Sequence, residues 1–308
     1  MESVCVLMST YNGEKYLREQ LDSILASEDV ELTILIRDDG STDGTLQILD
    51  EYAGMYSDSK SFPYIKVIKG ENLGATASFM ELIRMAPKAP YYAFSDQDDV
   101  WDPDKLSIAV SSLSCEMKSL PLLYHSALRL TDENLKYVRT IQAIQHSSRY
   151  QSLIENSVTG CSVVFNRTAL LYVQKRMPEY CSVHDVWMYI VCMFFGKVIY
   201  DNVSHVSYRQ HGDNVTEHYI NEHDPMQHVK RIKRILDRSY QPRYNNARSF
   251  YKCYRSILSE KDRDVLRRIV YYKRSVANTL SLFLDRDLRG NSFAGNVRYR
   301  LSILIWHI

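Results

Sequence analysis

Three carboxylates lie within four residues at the end of a short apolar run. The run covers residues 91–94, and Asp96, Asp98 and Asp99 follow it directly. Because like charges repel one another, such a cluster is unfavourable unless a cation or hydrogen-bond donors compensate it. Oxygen ligands in this number suit a hard divalent ion such as Mg²⁺ or Mn²⁺. The alternative is a solvated acidic turn that caps the next helix and continues through residues 102–104.

Four predicted strands alternate with helical patterns over the first 95 residues, which indicates a parallel sheet with right-handed crossovers. A polar cluster follows each strand, and ligands of such sheets bind in the crevice beyond the carboxyl ends of the strands. We therefore expect one shared site, lined by an aromatic ring and at least four carboxylates. The strands are residues 4–8, 32–36, 65–68 and 91–95, and the clusters contain Thr10, Tyr11, Asn12, Asp38, Asp39, Asn72 and Asp96–Asp99.

The composition of this edge favours a nucleotide bound without a phosphate loop. Neither GxxxxGK[ST] nor GxGxxG occurs, so cradling of phosphate by backbone amides is not indicated. A carboxylate cluster needs a divalent ion between itself and a diphosphate, and the Asp-x-Asp spacing supplies its ligands. Tyr11 could stack on a base while Asp39 accepts a base N–H. For Tyr11 the alternative is a buried tyrosine at the end of a strand.

Further candidate residues follow in the second half of the chain. Asp185 begins a long apolar segment, where it is either a helix N-terminal charge or a base that takes a proton from a hydroxyl. His184 beside it could serve instead. Arg209 is a candidate phosphate contact and His211 a candidate third metal ligand, unless this histidine is simply exposed in its loop. The turn at residues 156–161 is rich in donors and in small side chains.

The bulk properties are those of a globular protein with one large domain or two smaller ones. The chain has 308 residues, and its six cysteines are scattered without a CxxC pair, which is typical of reduced thiols in a cytosolic protein. The first residues enter a strand directly, so we expect no signal peptide. The longest apolar run, residues 186–195, has half the length of a membrane span.

The net charge of +1 hides an asymmetry. Residues 226–308 contain 19 basic and 6 acidic residues, a balance of +13, whereas residues 1–225 have a balance of −12. The basic segment is rich in tyrosine and ends in an apolar stretch that suits a lipid headgroup region. Its helices could instead pack on the rest of the chain. Nucleic-acid binding is a further alternative, but the segment contains neither a zinc-finger nor an RRM signature. The segments behind this prediction are residues 230–236, residues 301–308 and the helically spaced Ile269, Tyr272, Val276, Leu280 and Phe283.

Taken together and in order, seven motifs resemble the family-2 glycosyltransferases with the GT-A fold. The similarity is greatest to rhamnosyltransferase-type members that build bacterial surface polysaccharides. It extends from residue 1 to about residue 216. The motifs are STYNGEKYL, RDDGSTDGT, ENLG, FSDQDDVWDPDKL, NSVTGCSVVFNR, HDVW and YRQHGDNV.

The resemblance implies an α/β GT-A fold, Rossmann-like with a mainly parallel sheet and flanking helices, plus a C-terminal helical segment. It also implies inverting transfer from a nucleoside-diphosphate sugar with Mn²⁺ or Mg²⁺. Tyr11 would pack on the base, Asp39 would hydrogen-bond it, Asp96 would face the ribose, and Asp98 would bind the metal. Asp185 would be the general base, and His211 would complete the metal site. The remaining candidate contacts to donor or acceptor are Asp99, Trp101, Gly160, Cys161, His184, Trp187 and Arg209.

The resemblance also shapes the expected reaction and its location. The QxxRW motif of processive members is absent, so we expect one or a few sugars per acceptor. Rhamnose from a dTDP donor is the first choice, with UDP-hexoses and UDP-N-acetylhexosamines open. We expect the acceptor to be a polyprenyl-linked saccharide and the protein to be cytoplasmic. Attachment to the inner face of the plasma membrane and assembly into a homo-oligomer are left open.

Two other function classes compete with transfer. A non-catalytic nucleotide- or carbohydrate-binding module could share the fold, although Asp98 and Asp185 are intact. A nucleotidyltransferase would need a glycine- and arginine-rich phosphate loop, which is missing. We divide the chain into a catalytic domain, residues 1–216, and a basic helical segment, residues 217–308, that contacts a membrane surface or another subunit.

Overall fold

A computed structural model describes residues 1–58, 61–212, 241–290 and 293–304. The chain separates into two compact units. The first comprises residues 1–144 and 158–175 and the described part of 191–220, and the second comprises residues 145–157 and 176–190 and the described part of 221–308. No helix in these described ranges combines the length and apolarity required to cross a bilayer.

The first unit is built on a mixed sheet, which in the described residues has nine strands. Their order is β3-β2-β1-β4-β8-β6-β9-β5, with β7 paired to β6. The strands are β1 (Glu2–Thr10), β2 (Val30–Asp38), β3 (Tyr64–Lys69), β4 (Tyr91–Ser95), β5 (Val100–Trp101), β6 (Leu122–Thr131), β7 (Tyr137–Ile141), β8 (Val164–Asn166) and β9 (Lys197–Arg209).

One half of the sheet is parallel, as the sequence predicts. Strand β1 pairs in parallel with β2 and β4, and β2 pairs in parallel with β3. The runs of Val, Ile and Leu in β1 and β2 are buried on both faces because helices cover the sheet. The carboxyl ends of these four strands therefore meet at one edge, and the predicted polar clusters follow them there.

The other half of the sheet mixes directions. Strand β8 runs antiparallel to both β4 and β6, and β5 runs antiparallel to β9. Strand β9 is parallel to β6. The register of this pair shifts between Ser126 and Ala127 of β6, and again between Ala127 and Arg129. The long strand β9 was not expected from the sequence, because its polar middle interrupts any regular alternation of buried and exposed positions.

Five helices flank the sheet of the first unit. The helix that begins at Thr45 has no side-chain cap, and in the turn before it the carboxylate of Asp38 accepts hydrogen bonds from the hydroxyl and amide of Ser41. The helices are α1 (Leu17–Leu25), α2 (Thr45–Met55), α3 (Ala75–Met85), α4 (Lys105–Ser114) and α5 (Arg167–Gln174), and α6 (His184–Phe195) passes from the second unit into the first.

The described part of the second unit is helical. The helices that follow α6 are α7 (Pro242–Tyr254), α8 (Glu260–Tyr271), α9 (Val276–Leu284) and α10 (Phe293–Leu304). The helical spacing predicted from Ile269 to Phe283 is interrupted, because a 3₁₀ turn at Tyr272–Arg274 precedes the N-cap Ser275 of α9. Some of the predictions concern residues that lie outside the described ranges, namely residues 213–216, 230–236 and 305–308.

Candidate active site

The polar clusters at the parallel edge are joined by hydrogen bonds. The Thr10 hydroxyl donates to Asp38 Oδ1 at 3.1 Å, and the amide of Asp39 donates to the carbonyl of Thr10 at 2.8 Å. The amide of Gly70, after β3, donates to the carbonyl of Asp38 at 2.9 Å. The expected convergence of the strand ends is therefore confirmed.

Asp98 and His211 lie together, although 113 residues separate them in the chain. His211 Nε2 is 2.7 Å from Asp98 Oδ2, and both side chains are largely buried. The ring of Tyr16 packs against the imidazole with a centroid distance of 4.9 Å. The alternative of a simply exposed loop histidine is therefore wrong.

Asp99 is fully buried beneath this pair. Its Oδ1 accepts the backbone N–H of Arg209 at 3.1 Å. Burial, followed by the neighbouring charges of Asp98 and Asp96, raises the pKa of the Asp99 carboxyl well above its ordinary value. Since Asp98 and Asp99 are both buried, the alternative of a solvated acidic turn is wrong for these two residues.

The acid cluster fits a hard divalent cation by its chemistry. Ligand atoms of Asp96, Asp99 and Cys161 lie within 4.8 Å of one another, and Asp98 and His211 form the adjacent pair. Carboxylate oxygen suits Mn²⁺ or Mg²⁺ and imidazole nitrogen is a ligand of transition-metal ions, whereas a thiol favours softer metals. Burial raises the pKa of the Cys161 thiol well above its ordinary value, which keeps the thiol protonated. The residues present therefore fit a metal held by Asp98 and His211.

Arg209 braces the acidic loop through contacts to protein groups. Its Nε donates to the carbonyl of Asp98 at 2.8 Å, and its Nη1 donates to the carbonyl of Glu133 at 2.7 Å. Its Nη2 forms an ion pair with Glu19, and the guanidinium lies 4.5 Å from the centroid of the Tyr16 ring. This guanidinium, which was expected to contact phosphate, is buried and bound to three separate segments of the chain.

Tyr11 is 48% exposed, so the alternative of a buried strand-end tyrosine is wrong. The side chain of Gln97 holds its backbone from both sides, because Oε1 accepts the Tyr11 amide at 2.8 Å and Nε2 donates to its carbonyl at 3.0 Å. Asn12 Oδ1 accepts the amide of Thr42 at 2.8 Å, which joins the turns after β1 and β2. The aromatic ring of Tyr11 is thus presented to solvent from a fixed backbone, next to the acidic loop.

Asp39 is buried and accepts several hydrogen bonds. Its two oxygens accept the amides of Leu73 and Gly74 at 2.9 and 2.8 Å, and the Arg37 guanidinium pairs with one of them. These bonds order the turn after β3, where Gly74 has φ +82, a conformation that glycine adopts without strain. Asn72 lies in this turn and is exposed.

Trp101, Gly160 and Cys161 are buried rather than surface contacts. Trp101 pairs with Val206 across β5 and β9 and belongs to the hydrophobic core. Lys105 Nζ lies 3.3 Å from the Trp101 ring centroid, and burial lowers the pKa of this lysine to about 7. Trp101 follows the acidic loop directly in the sequence and supports it by packing in the core.

In the second unit, Asp185 lies in the first turn of α6 and is 6% exposed. Burial lowers the pKa of neighbouring His184 to about 3, so this imidazole is neutral and weakly basic at neutral pH. Trp187 is fully buried, with its ring centroid 5.8 Å from that of Phe250 and 6.3 Å from that of Tyr254. It is therefore a core residue of its unit.

Four residues of the site were missed by sequence reasoning. Gln97 stands between two predicted acids, but nothing in its type indicates that it binds the backbone of Tyr11. Tyr16 and Glu19 looked like ordinary positions at the start of α1, and their partner Arg209 is 190 residues beyond Glu19. Lys105 was the one member with a signal, since a lysine so close to three acids is a natural counter-charge.

The chain was compared with known families and sequences. A family model described as Glycosyl transferase family 2 matches residues 5–165. A dTDP-rhamnosyl transferase of Shigella flexneri is 30% identical over 223 residues, which cover 67% of this chain and 72% of that protein. The residues that the family model matches, 5–165, include the acidic loop and nearly all of the strands of the parallel edge.

Two solved structures share the fold. Residues 1–349 of S. aureus TarS, in complex with UDP-GlcNAc, match with a TM-score of 0.55 and 19% identity over 92% of this chain and 77% of that chain. A mannosyltransferase from Pyrobaculum calidifontis, in complex with GDP-Man and Mn²⁺, matches with a TM-score of 0.52 and 16% identity. This second match covers 98% of this chain and 74% of that chain.

Proposed function

The chain belongs to glycosyl transferase family 2 and is a glycosyltransferase, and from this premise we propose that it transfers a sugar from a nucleoside-diphosphate donor to a saccharide hydroxyl, with inversion at the anomeric carbon. The observation that carries the proposal is the Asp98–His211 pair, 2.7 Å apart, at the edge where Tyr11 and Asp39 also lie. An aromatic ring, a base-facing carboxylate and a metal-binding pair are what a nucleotide diphosphate requires.

Asp98 and His211 would hold Mn²⁺ or Mg²⁺ at this edge. When bound, the ion stabilises the negative charge that develops on the departing diphosphate, an effect of several kcal/mol. Asp96, half-buried beside the pair, is oriented toward the ribose in our proposal. Asp99 and Arg209 hold the loop in place, because the backbone amide of Arg209 donates to Asp99 and its side chain donates to Asp98.

The nucleotide would be read by the turns after β1, β2 and β3. We propose that the exposed ring of Tyr11 stacks on the base and that Asp39 accepts the base N3–H through a remaining lone pair. Thr10, Asn12 and Asn72 would complete this pocket. Because thymine and uracil present the same N3–H, Asp39 does not separate dTDP from UDP donors.

Asp185 is the proposed general base. A positioned carboxylate base typically contributes ~10²–10⁴-fold to rate. The first turn of a helix stabilises the ionised carboxylate that this role requires. His184 is less suited, because its pKa near 3 makes it a weak proton acceptor.

The donor we favour is dTDP-rhamnose, which gives L-rhamnose transfer to a lipid-linked saccharide of a bacterial surface polysaccharide. Its support is the Shigella relative, whose name is that of a dTDP-rhamnosyl transferase. UDP-hexoses and UDP-N-acetylhexosamines are the alternative donors. We place the reaction at the inner face of the plasma membrane, where a polyprenyl-linked acceptor would be anchored, and assign residues 217–308 a function separate from the transfer chemistry.

A donor screen tests the proposal. Nucleotide release is measured for dTDP-rhamnose and for UDP and GDP sugars, with Mn²⁺, with Mg²⁺ and after chelation. Asp98→Asn and Asp185→Asn should each abolish transfer, whereas Asp50→Asn, the same change at an exposed position, should leave it intact. Full activity of Asp98→Asn would refute the metal assignment, and full activity of Asp185→Asn would refute the base.

A non-catalytic binding module is the alternative of another class. Titration calorimetry separates the two functions. Tight nucleotide binding without product from any donor would favour the module, and binding accompanied by product excludes it.

A further inference from the structure

Helix α9, in the second unit, exposes an apolar stripe. Val276 is 81% exposed and Leu280 53% exposed, and Leu284 continues the stripe one turn further. This spacing of four residues places all three side chains on one helix face. The opposite face, which carries Thr279 and Leu282, is buried. The helix is thus anchored by one apolar face and presents a second one to solvent.

Helix α10 repeats this arrangement. Phe293 is 85% exposed, and Val297 and Leu301 extend its exposed face at the same spacing of four residues. Tyr299 and Ile303 are buried on the other side. Exposed apolar side chains that occur singly are ordinary, but periodic stripes on two consecutive helices mark an interaction surface.

The hairpin of α9 and α10 is held together by specific hydrogen bonds. Arg300 Nη1 donates to the carbonyl of Phe283 at 2.6 Å, which ties α10 to α9. In the connection, the amide of Gly290 donates to Asn296 Oδ1 at 2.7 Å. The two stripes are therefore presented by a defined structure, which we call the α9–α10 hairpin.

The charge around the hairpin is strongly positive. Residues 271–304 contain six basic residues and two acidic ones, a balance of +4. Arg274, Arg286 and Arg289, which flank α9 in the chain, are exposed. Of the two acids, Asp285 is buried and paired with Arg268 at 2.9 Å, which leaves Asp287 as the exposed carboxylate.

We propose that the α9–α10 hairpin binds the surface of an anionic phospholipid bilayer, with its apolar stripes in the headgroup–acyl boundary and its arginines on lipid phosphates. Exposed apolar residues with adjacent arginines are the composition of interfacial helices. A second copy of the chain fits less well, because the same arginines would meet one another across a two-fold interface. The proposal goes beyond sugar transfer, since it requires neither donor nor acceptor.

Sedimentation with vesicles tests the proposal on the full chain. Without donor or metal, the chain should bind vesicles of mixed phosphatidylglycerol and phosphatidylcholine and bind pure phosphatidylcholine weakly. Arg286→Gln with Arg289→Gln should lower the partition coefficient, by about fivefold per arginine. Leu280→Ser with Phe293→Ser should abolish binding.

The matched control is Met55→Ser with Val203→Ser, which removes exposed apolar side chains of the first unit and should bind as the wild type does. Circular dichroism shows whether each variant is folded. Wild-type binding by the Leu280→Ser, Phe293→Ser variant, or no binding of the wild type to anionic vesicles, would overturn the proposal.

Light scattering addresses the competing occupant. The competing outcome has two parts: the wild type is a dimer that does not bind vesicles, and Leu280→Ser with Phe293→Ser makes it a monomer. That outcome would assign the surface to a second copy instead. Nucleotide release is measured separately in detergent-free solution. Loss of vesicle binding with intact transfer, or the reverse, therefore distinguishes failure of this proposal from failure of the transferase assignment.

Discussion

Arg209 supplies the sharpest test of how the acidic loop is held. If its guanidinium braces the loop, Arg209→Met should destabilise the protein; if it binds donor phosphate, the change should raise the donor KM and spare stability. The buried guanidinium donates to the carbonyls of Asp98 and Glu133 and lies over the ring of Tyr16. Its position between three segments makes the first outcome the expected one.

The magnitude follows from these contacts. A hydrogen bond from a charged group is worth ~1.5–3 kcal/mol, and a cation–π contact ~0.5–2 kcal/mol. Glu19, the ionic partner, is half exposed and regains water when the arginine is removed, which limits the penalty. Since the terms are not additive, we expect Arg209→Met to lower the free energy of unfolding by about 3–5 kcal/mol.

Urea unfolding followed by circular dichroism measures the loss, with Arg129→Met as the matched control. Arg129 forms an ion pair with Asp102 at 2.6 Å but is one-third exposed, so its removal should cost about 1 kcal/mol or less. Donor KM is measured on both variants at a temperature where they are folded. Wild-type stability of Arg209→Met together with a raised donor KM would refute the brace and restore the phosphate contact.

Three further predictions address other parts of the chain. Tyr11→Ala should raise the donor KM roughly 5–30-fold by removing a stacking energy of about 1–2 kcal/mol, with Tyr11→Phe close to wild type in the same kinetic assay. Burial lowers the pKa of the His146 imidazole from its ordinary value of about 6.5 to about 4 in the folded chain. As the pH falls below about 6.5, this imidazole therefore becomes protonated in the unfolded chain before it does in the folded chain. The urea midpoint should therefore drop between pH 6.5 and pH 4, and less steeply in His146→Gln. Gly196→Ala should abolish folding, because its Cβ would overlap the carbonyl of Pro121, whereas Gly54→Ala, with open space in α2, should raise the melting temperature slightly.

The parallel half of the fold could be predicted because its information is local. Strands β1 and β2 are predominantly apolar and largely buried, and each is followed by a polar turn and a helix. Once four such units are parallel, topology alone brings the residues after each strand to one edge. The neighbourhood of Tyr11, Asp39 and Asp98 follows from that argument without any knowledge of side-chain contacts.

The pairings of the mixed half could not be predicted, because they join distant and irregular segments. Strand β9 has a polar middle and pairs with β6 through register shifts. Its sequence therefore lacks the regular alternation of apolar and polar residues that would predict a strand. The resemblance made Trp101 a candidate contact to donor or acceptor, but pairing with Val206 in β9 buries it. The pairing of Asp98 with His211 came from family resemblance, since no local pattern predicts a contact across 113 residues.

The charges of the acidic loop argue for a cation at this edge. Asp98, Asp99 and Glu19 lie around Arg209, whose guanidinium is already committed to Glu19 and to two carbonyls. Lys105 offers only partial compensation at neutral pH, because burial lowers its pKa to about 7. Burial, followed by the charges of Asp98 and Asp96, raises the pKa of Asp99 well above its ordinary value, so part of this rise reflects repulsion among the carboxylates. A loop whose backbone is fixed by Gln97 and Arg209 cannot relieve this repulsion by moving apart. The same rigidity that makes the carboxylates unfavourable neighbours therefore holds them ready for a divalent ion.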